Sequence, residues 1–352
     1  MPLFGVVVSR SKLINRNFMC VYQLFFGVIN VVSKYGERAR LVAHLIASAI
    51  LLEVAAYPKP GNVHRTRDFS DTRFEDFLIT GVVGHHYISK AVARGCRIAR
   101  DGKRIRVLVG DLVEGIMRDY KRVSGGGNTC LGSSLLLLPI AVASGYILCS
   151  NEPVNIQAIC STSAKILQQY STVSDSIHFY NAVRIARPSY IRRGDSVVDP
   201  PNVWDEDYRT KLRRGGYTLW HILLHSSKWD MVSHEIVNGY PRSQTNVVFL
   251  RDRLSKHGDW NRAVVETYLF QLSRELDTLV VRKHGVAVAR MVMEKAAELL
   301  EMCQRDFGAC KNSLNDFDRE LGDLGVNPGS TADIIVSTIA LHAVDKGFEI
   351  IR

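Results

Sequence analysis

A stiff turn that carries one lysine is the first feature of the sequence that could handle a phosphorylated substrate. Residues 58–65 read PKPGNVHR and follow an apolar helix pattern whose lone charge is Glu53. A carboxylate near a helix C-terminus opposes the helix dipole, so a cation, a metal ion or solvent must compensate it. The two prolines restrict the turn, which would suit presentation of the Lys59 ammonium to a phosphate. The alternative is a surface turn in which Lys59 only pairs with Glu53.

A glycine-rich stretch is the second candidate. Residues 124–129 read SGGGNT and lead into an apolar segment without charge. Glycines before a helix N-terminus let backbone N–H groups converge on an anion. The alternative is a flexible loop in which Asn128 or Thr129 serves only as the N-cap.

A third stretch, residues 276–285 (LDTLVVRKHG), places two opposite charges on one amphipathic helix. Asp277 and Arg282 lie at one end of that helix pattern. Taken alone, a solvated charged face closed by Gly285 is the simpler interpretation.

The fourth stretch, residues 327–333 (NPGSTAD), opens an apolar helix. Ser330 and Asp333 have the spacing of a capping box. Asp333 would also face inward beside a helix N-terminus, which is a favourable location for a metal ion or a phosphate.

Helical periodicity dominates the elements that must position these residues. Apolar residues recur at helical spacing in nine segments: 41–56, 74–100, 107–122, 129–149, 152–170, 174–187, 260–281, 285–303 and 330–346. Alternating strand patterns are scarce, and 247–250 is too short to build a sheet. The sequence therefore predicts an all-α fold, a single large domain of about ten helices.

One of these segments, 129–149, is long enough to cross a bilayer. It contains serines, a proline and a glycine, and no second comparable span accompanies it. We therefore predict that it is the central core helix of a large helical domain, with a membrane span as the alternative.

The predicted domain covers residues 37–352. Residues 1–36 are interpreted as an N-terminal extension outside the core, with a docked segment or an anchor at 18–32 as alternatives. Residues 187–216 are polar and rich in Pro and Gly, and we predict a long loop there.

The charge balance indicates an anionic partner. The chain has 45 Lys and Arg against 35 Asp and Glu, a net charge of +10, and residues 1–67 contribute +7 of it. Nucleic acid, an anionic membrane and a phosphate-rich small molecule all fit such an excess.

The seven cysteines indicate neither a zinc ribbon nor a disulfide framework. Their number is odd and no Cys-x-x-Cys occurs. We expect buried free thiols in a reducing cytoplasm.

Taken in order, the four stretches resemble the triphosphoribosyl-dephospho-coenzyme A synthase family. The likeness is carried by PKPGNVHR, GNTxxG, LDTxxxRxxG and NPGSTAD, and it runs from about Glu37 to the C-terminus. Members of this family are all-helical cytoplasmic enzymes that move a triphosphoribosyl group from ATP to the 2′-hydroxyl of 3′-dephospho-CoA and release adenine. Cys130-Leu131 stands where many bacterial members have His-Lys, which leaves open a related transfer to another cofactor precursor.

The resemblance implies roles for the polar residues of the four stretches. Glu53, Asp68 and Asp277 become candidate catalytic carboxylates, since such groups stabilise an oxocarbenium-like state or activate a hydroxyl. Glu53, Asp68 and Asp333 become candidate ligands of the Mg²⁺ that accompanies ATP. The candidate substrate- and phosphate-binding residues are Lys59, Asn62, His64, Arg65, Gly126, Gly127, Asn128, Thr129, Arg282, Ser330 and Thr331.

The expected partners are therefore ATP and a dephospho-CoA-like molecule in the cytoplasm. We expect neither nucleic acid nor a membrane as a partner, although a basic helical nucleic-acid-binding protein is the competing interpretation, and a homo-oligomer stays open. The enzyme hypothesis requires six residues to converge in space: Glu53, Lys59, Asp68, Asn128, Asp277 and Asp333.

Overall fold

Helices form all the regular structure in the part of the chain that the computed structural model describes, residues 36–102, 105–188, 191 and 200–346. The fifteen helices are α1 (36–55), α2 (Phe74–Asp101), α3 (Gly110–Val123), α4 (Leu131–Cys149), α5 (Ile156–Tyr170), α6 (Val173–Ala186), α7 (Tyr208–Gly215), α8 (Leu219–Ser226), α9 (Met231–Val237), α10 (Pro241–His257), α11 (Trp260–Leu272), α12 (Thr278–His284), α13 (Val286–Arg305), α14 (Phe307–Asp323) and α15 (Gly329–Lys346). The predicted all-α fold is confirmed. The predicted N-terminal extension lies almost wholly outside the described residues.

Helix α4 occupies the centre of the fold. It packs against α2, α3, α5 and α15, and these neighbours bury nearly all of its side chains. It is the one described helix that is long and apolar enough to cross a membrane, and 89% of its most apolar window is buried inside the protein. A helix that is apolar on every side is stable when it is surrounded in this way, so the prediction of a central core helix is confirmed.

The predicted count of about ten helices is too low. Short helices such as α8 and α9 have seven or eight residues, too few for a clear periodic pattern. The segment 260–281, predicted as one helix, is divided into α11 and α12 because the chain turns before Asp277. The pattern at 247–250 lies inside α10 and is not a strand.

The predicted loop over 187–216 also needs correction. Its last part forms α7, and residues 189–190 and 192–199 lie outside the described residues.

The prediction of free thiols is wrong for four cysteines. Disulfides join Cys96 to Cys149 and Cys303 to Cys310. Each pair links two helices that pack together, α2 with α4 and α13 with α14, and sequence spacing does not show which helices are neighbours. The other two described cysteines are free and buried, as predicted: Cys130 and Cys160.

Candidate active site

A buried ion pair closes the C-terminal end of α1. Lys59 Nζ donates a hydrogen bond to Glu53 Oε1, and the two side chains are 0% and 3% exposed. Burial lowers the pKa of Lys59, although the negative charge of Glu53 opposes this shift. The turn therefore supplies the compensating cation that Glu53 requires. The simpler interpretation of this stretch is right about the pair, but the pair lies in the interior and not on a surface turn.

The turn that carries Lys59 packs directly onto the fourth stretch. Gly61 has a φ of 77°, and its N–H donates to Asp318 Oδ1 over 2.9 Å. A Cβ on Gly61 would lie 2.8 Å from Pro328 Cδ, so only glycine permits this approach. The first and fourth stretches are therefore in contact.

Three other residues of the first stretch brace this turn. Asn62 Nδ2 donates to the Tyr268 hydroxyl over 2.6 Å, and that hydroxyl donates to the Pro60 carbonyl over 2.8 Å. The His64 ring is buried, and its Nε2 lies 3.4 Å from Asp318 Oδ2. Arg65 is exposed and stacks over the Tyr57 ring, 4.6 Å from the ring centre.

One carboxylate, that of Asp277, caps two helices. Its Oδ1 accepts hydrogen bonds from the backbone N–H groups of Leu279 and Val280 at the start of α12. Its Oδ2 accepts from the backbone N–H and the hydroxyl of Thr331 in the first turn of α15, over 2.7 and 2.8 Å. The side chain is 1% exposed, so the solvated charged face suggested by the sequence is wrong. Asp277 holds the third and fourth stretches together.

Asp333 lies where the first turns of α4 and α15 meet. Its Oδ1 accepts a hydrogen bond from the Ser133 hydroxyl over 2.7 Å. A Cβ on Gly132 would lie 2.0 Å from its Oδ2, so the close approach of the carboxylate to α4 requires glycine. The capping box with Ser330 is therefore not formed, because Asp333 turns towards α4 and Asp277 caps α15 instead.

The electrostatic surroundings of Asp333 favour its protonated form. Burial raises its pKa to about 7, the Ser133 hydrogen bond opposes the shift, and the negative charges of Glu53, Asp277 and Asp230 add to it. The described residues offer its Oδ2 no hydrogen-bond donor. Asp333 is thus a carboxyl group that can take up or release a proton near neutral pH.

Two further polar contacts complete the surroundings of Asp333. Arg282 Nη2 lies 3.8 Å from Asp230 Oδ1, and the Ser330 hydroxyl lies 3.1 Å from the Thr278 hydroxyl. We use the name Asp333 cluster for the following seven residues: Glu53, Lys59, Ser133, Asp230, Asp277, Arg282 and Asp333.

The glycine-rich stretch forms a loop against the start of α2. Gly127 N donates to the Asp71 carbonyl over 2.7 Å, and the Lys121 ammonium donates to the Gly126 carbonyl. Asn128 Oδ1 accepts from Leu131 N over 3.2 Å, although the N-cap position of α4 is Cys130, two residues further along the chain. Thr129 is buried and lies 2.6 Å from the Thr80 hydroxyl. These contacts show a loop, but neither Asn128 nor Thr129 occupies the N-cap position of α4. Phosphate binding by this loop stays a prediction.

The six residues that the enzyme hypothesis requires to converge do not all lie together. Asp68 is exposed and accepts a hydrogen bond from Phe74 N, and no contact within the described residues joins it to the Asp333 cluster. Glu53, Lys59, Asp277 and Asp333 do belong to one cluster. Asn128 contacts the first residue of α4, the helix whose first turn meets this cluster.

The sequence matches known proteins along most of its length. A profile of the CitG family, described as ATP:dephospho-CoA triphosphoribosyl transferase, matches residues 39–352. The chain belongs to this family. The resemblance seen in the four stretches is confirmed, and the chain is an enzyme of the triphosphoribosyl transferase class.

Two relatives illustrate the distance within the family. A 2-(5″-triphosphoribosyl)-3′-dephosphocoenzyme-A synthase from Klebsiella pneumoniae is 22% identical over 314 residues, which cover 88% of this chain and 92% of the relative. A crystal structure from Archaeoglobus fulgidus, provisionally named triphosphoribosyl-dephospho-CoA synthase, is also 22% identical, with a TM-score of 0.57. The structural match covers 78% of this chain and 99% of that one, and it supports the fold.

Cys130 and Leu131, which stand where many family members have His-Lys, lie in the core. Cys130 is 1% and Leu131 7% exposed, and Cys130 Sγ lies 3.1 Å from Met117 Sδ. Burial raises the pKa of the Cys130 thiol to about 12. These two residues therefore supply no charge to the site.

The predicted magnesium ligands are not brought together. Asp68 is outside the Asp333 cluster and Glu53 is paired with Lys59, so Glu53, Asp68 and Asp333 do not form a metal site. Across the described ranges, no three His, Cys, Asp or Glu side chains are grouped so that they could hold a metal ion.

Sequence reasoning missed three residues of the site. Ser133 lies in the charge-free helix pattern, where nothing in the sequence indicates a functional role for a serine. Asp318 and Asp230 lie on α14 and before α9, in segments where no helix was predicted. A carboxylate that follows a loop and precedes an apolar residue, as Asp230 does, is an N-cap signal that could have indicated α9.

Proposed function

We propose that this enzyme transfers the triphosphoribosyl group of ATP to the 2′-hydroxyl of a 3′-dephospho-CoA-type acceptor in the cytoplasm, with release of adenine. The family supplies the reaction class. The observation that carries the assignment of the site is Asp333, a titratable carboxyl group at the junction of two long helices.

The bond changes define what the protein must do. The glycosidic C1′–N9 bond of ATP breaks, and its electron pair leaves with adenine, so the ribosyl carbon develops oxocarbenium character. The acceptor 2′-oxygen forms the new bond to C1′, and its proton moves to Asp333. A base with a pKa near the working pH is efficient in such a transfer. The proton that Asp333 has taken up is then available to the departing adenine.

Neighbouring residues orient this base. Ser133 fixes one oxygen of Asp333 and leaves the other for the acceptor hydroxyl. Asp277 acts as a positioning residue, because its hydrogen bonds hold the first turn of α15, which carries Asp333.

The donor triphosphate is placed at the first turns of α4 and α15. Backbone N–H groups and the positive end of the helix dipole attract phosphate at such positions. Arg282 is the cation nearest to solvent in the Asp333 cluster, with a quarter of its side chain exposed. Mg²⁺ enters as part of the ATP complex, with phosphate oxygens as its ligands.

The test is release of adenine. The purified full-length protein is incubated with ATP, Mg²⁺ and 3′-dephospho-CoA, and adenine and the coupled product are followed by chromatography. We expect Asp333→Asn to reduce the rate by about 10²-fold or more, as removal of a general base does. Release of ADP or AMP in place of adenine would contradict the reaction.

A matched variant shows the effect of removing a carboxylate that lies outside the site. Asp323 is exposed at the end of α14, and Asp323→Asn is expected to keep the wild-type rate. Full activity of Asp333→Asn would remove Asp333 from the mechanism.

A further inference from the structure

A basic groove lies beside the glycine-rich loop, on the surface formed by α3, α6 and α7. Its volume is about 670 Å³, which is within the usual size of a small-molecule site. Five cationic side chains and one carboxylate line it: Arg118, Lys121, Arg184, Arg187, Arg209 and Glu114. We call these six residues the basic groove.

Two of the arginines are held in place by the protein. Arg184 donates from Nε to the Val203 carbonyl over 2.7 Å and stacks over the Tyr208 ring, 4.4 Å from its centre. Arg209 donates from Nε to the Tyr208 hydroxyl over 3.0 Å. A guanidinium group has five N–H donors, so these contacts orient the group and leave donors for a ligand.

The single carboxylate offsets only part of this positive charge. Burial opposes ionisation of Glu114, but hydrogen bonds from Asn181 and His178 outweigh it and lower its pKa. Glu114 also pairs with Arg118. An ionised Glu114 neutralises one of the five cations, and the excess of the other four favours an anionic ligand.

Arg187 lines the groove from an unusual backbone position. It ends α6 with a φ of 47°, in the left-handed region where glycine is the favoured residue. A bulky charged side chain costs stability there, and such local costs are found at functional positions.

The Asp333 cluster has the opposite charge balance. It contains four carboxylates, those of Glu53, Asp230, Asp277 and Asp333, against the cations of Lys59 and Arg282. Such a cluster repels a polyphosphate that carries no metal ion, and it suits the magnesium complex of ATP. The basic groove needs no metal to bind phosphate, because its arginines bind phosphate oxygens directly.

We propose that the basic groove binds the metal-free diphosphate of the dephospho-CoA-type acceptor, a site separate from that of the donor triphosphate. This inference rests on the proposed function. The glycine-rich loop connects the two sites, since Lys121 contacts Gly126 and the loop leads to Gly132 beside Asp333. The proposal requires that an acceptor held by its diphosphate extends along this loop and places its ribose at the Asp333 cluster.

The test measures binding of 3′-dephospho-CoA to the full-length protein by calorimetry in EDTA, at low and at raised salt. Arg187→Gly and Arg118→Gln are compared with Arg290→Gln, which removes an exposed charge from α13, a helix that packs on α11, α12 and α14. We expect wild type and Arg290→Gln to agree within about twofold. We expect each groove variant to bind about tenfold more weakly, and salt to weaken wild-type binding.

Arg187→Gly also separates binding from folding. Glycine adopts the left-handed region without a steric cost, so the melting temperature should be equal to or above that of wild type. The affinity for 3′-dephospho-CoA should nevertheless fall. The KM for ATP with Mg²⁺ should stay within about twofold of wild type in both groove variants.

Several results would overturn the groove assignment. They are wild-type affinity in both groove variants, no binding of 3′-dephospho-CoA without metal, or an equal loss of affinity for ATP and acceptor. Binding that depends on the groove without any adenine release would contradict the proposed function alone. Adenine release with an unchanged acceptor KM in the variants would contradict the groove alone.

Discussion

At the scale of the residue, the site depends on how burial changes the chemistry of single carboxylates. Glu53 is neutralised by Lys59, and Asp277 is fully engaged as a double cap. Asp333 accepts a single side-chain hydrogen bond, and burial, together with neighbouring negative charges, raises its pKa to about 7. Burial raises the pKa of Asp277 as well, but hydrogen bonds engage both of its oxygens, so we propose Asp333 as the group that exchanges a proton.

We predict that the rate of adenine release rises with pH through about 7. The base must be unprotonated to accept the proton of the 2′-hydroxyl, and Asp333 loses its own proton near that pH. The rate at saturating substrate, measured between pH 5 and 9, checks this. A profile that is flat from pH 5 to 8 would contradict the assignment.

The same shift has a consequence for stability. The pKa of Asp333 is raised from 3.8 to about 7, so the folded state binds this proton more tightly than the unfolded state does. Its contribution is therefore present at about pH 4 and is lost as the pH rises through 7. The free energy of unfolding should fall by up to about 3 kcal/mol between pH 5 and 8, and Asp333→Asn should remove this part of the fall. Urea titrations of the two proteins measure the difference.

At the scale of the element, the site is made where helices begin and end. The turn after α1 contacts Pro328 just before α15, and the first turn of α4 receives Asp333. These junctions require small residues and caps at fixed places. Gly61, Gly132 and Asp277 therefore hold the junctions together and, in the proposed mechanism, place Asp333.

We predict that Asp277→Ala destabilises the protein more than removal of an ordinary cap. Asp277 caps α12 and α15, whereas Asp306 caps only α14 through Ala309 N. Loss of a single cap costs about 1 kcal/mol, and loss of a buried double cap should cost about 3 kcal/mol. Urea unfolding of Asp277→Ala and Asp306→Ala gives the comparison. Equal losses would show that the contact with Thr331 adds nothing.

At the scale of the whole molecule, one helical core holds together a site whose parts are far apart in the chain. Glu53 and Asp333 are 280 positions apart, yet both belong to the Asp333 cluster. The continuous core runs from α1 to α15 around α4. Five cationic side chains line the basic groove, whereas the Asp333 cluster is acidic.

We predict that a chain starting at residue 36 keeps its fold and its adenine-releasing activity. The basis is the sequence prediction that residues 1–36 lie outside the core, and the described helices of the core and of the Asp333 cluster begin with α1 at residue 36. Circular dichroism and the adenine assay on the truncated protein check this, with the full chain as reference. Tight binding of DNA or RNA by the truncated protein would support the competing nucleic-acid interpretation, and loss of fold would refute an extension outside the core.

The amino-acid sequence was sufficient to predict the fold class, the central helix and the family. Helical spacing of apolar residues over long segments, and a charge-free segment flanked by amphipathic ones, leave few alternatives to an all-α core. Short helices such as α7 and α9 escaped prediction because one or two turns carry too little periodicity, and their stability comes from packing.

The contacts of the polar residues depend on the tertiary structure. Asn62, His64 and Thr129 contact Tyr268, Asp318 and Thr80, and ligand binding by these three residues stays a prediction. Ser133 and Gly132 are inconspicuous in the sequence and yet contact Asp333. The reason is physical: a carboxylate becomes a base, a cap or half of an ion pair according to its burial and its partners. Those partners come from helices that are distant in the chain and adjacent only after folding.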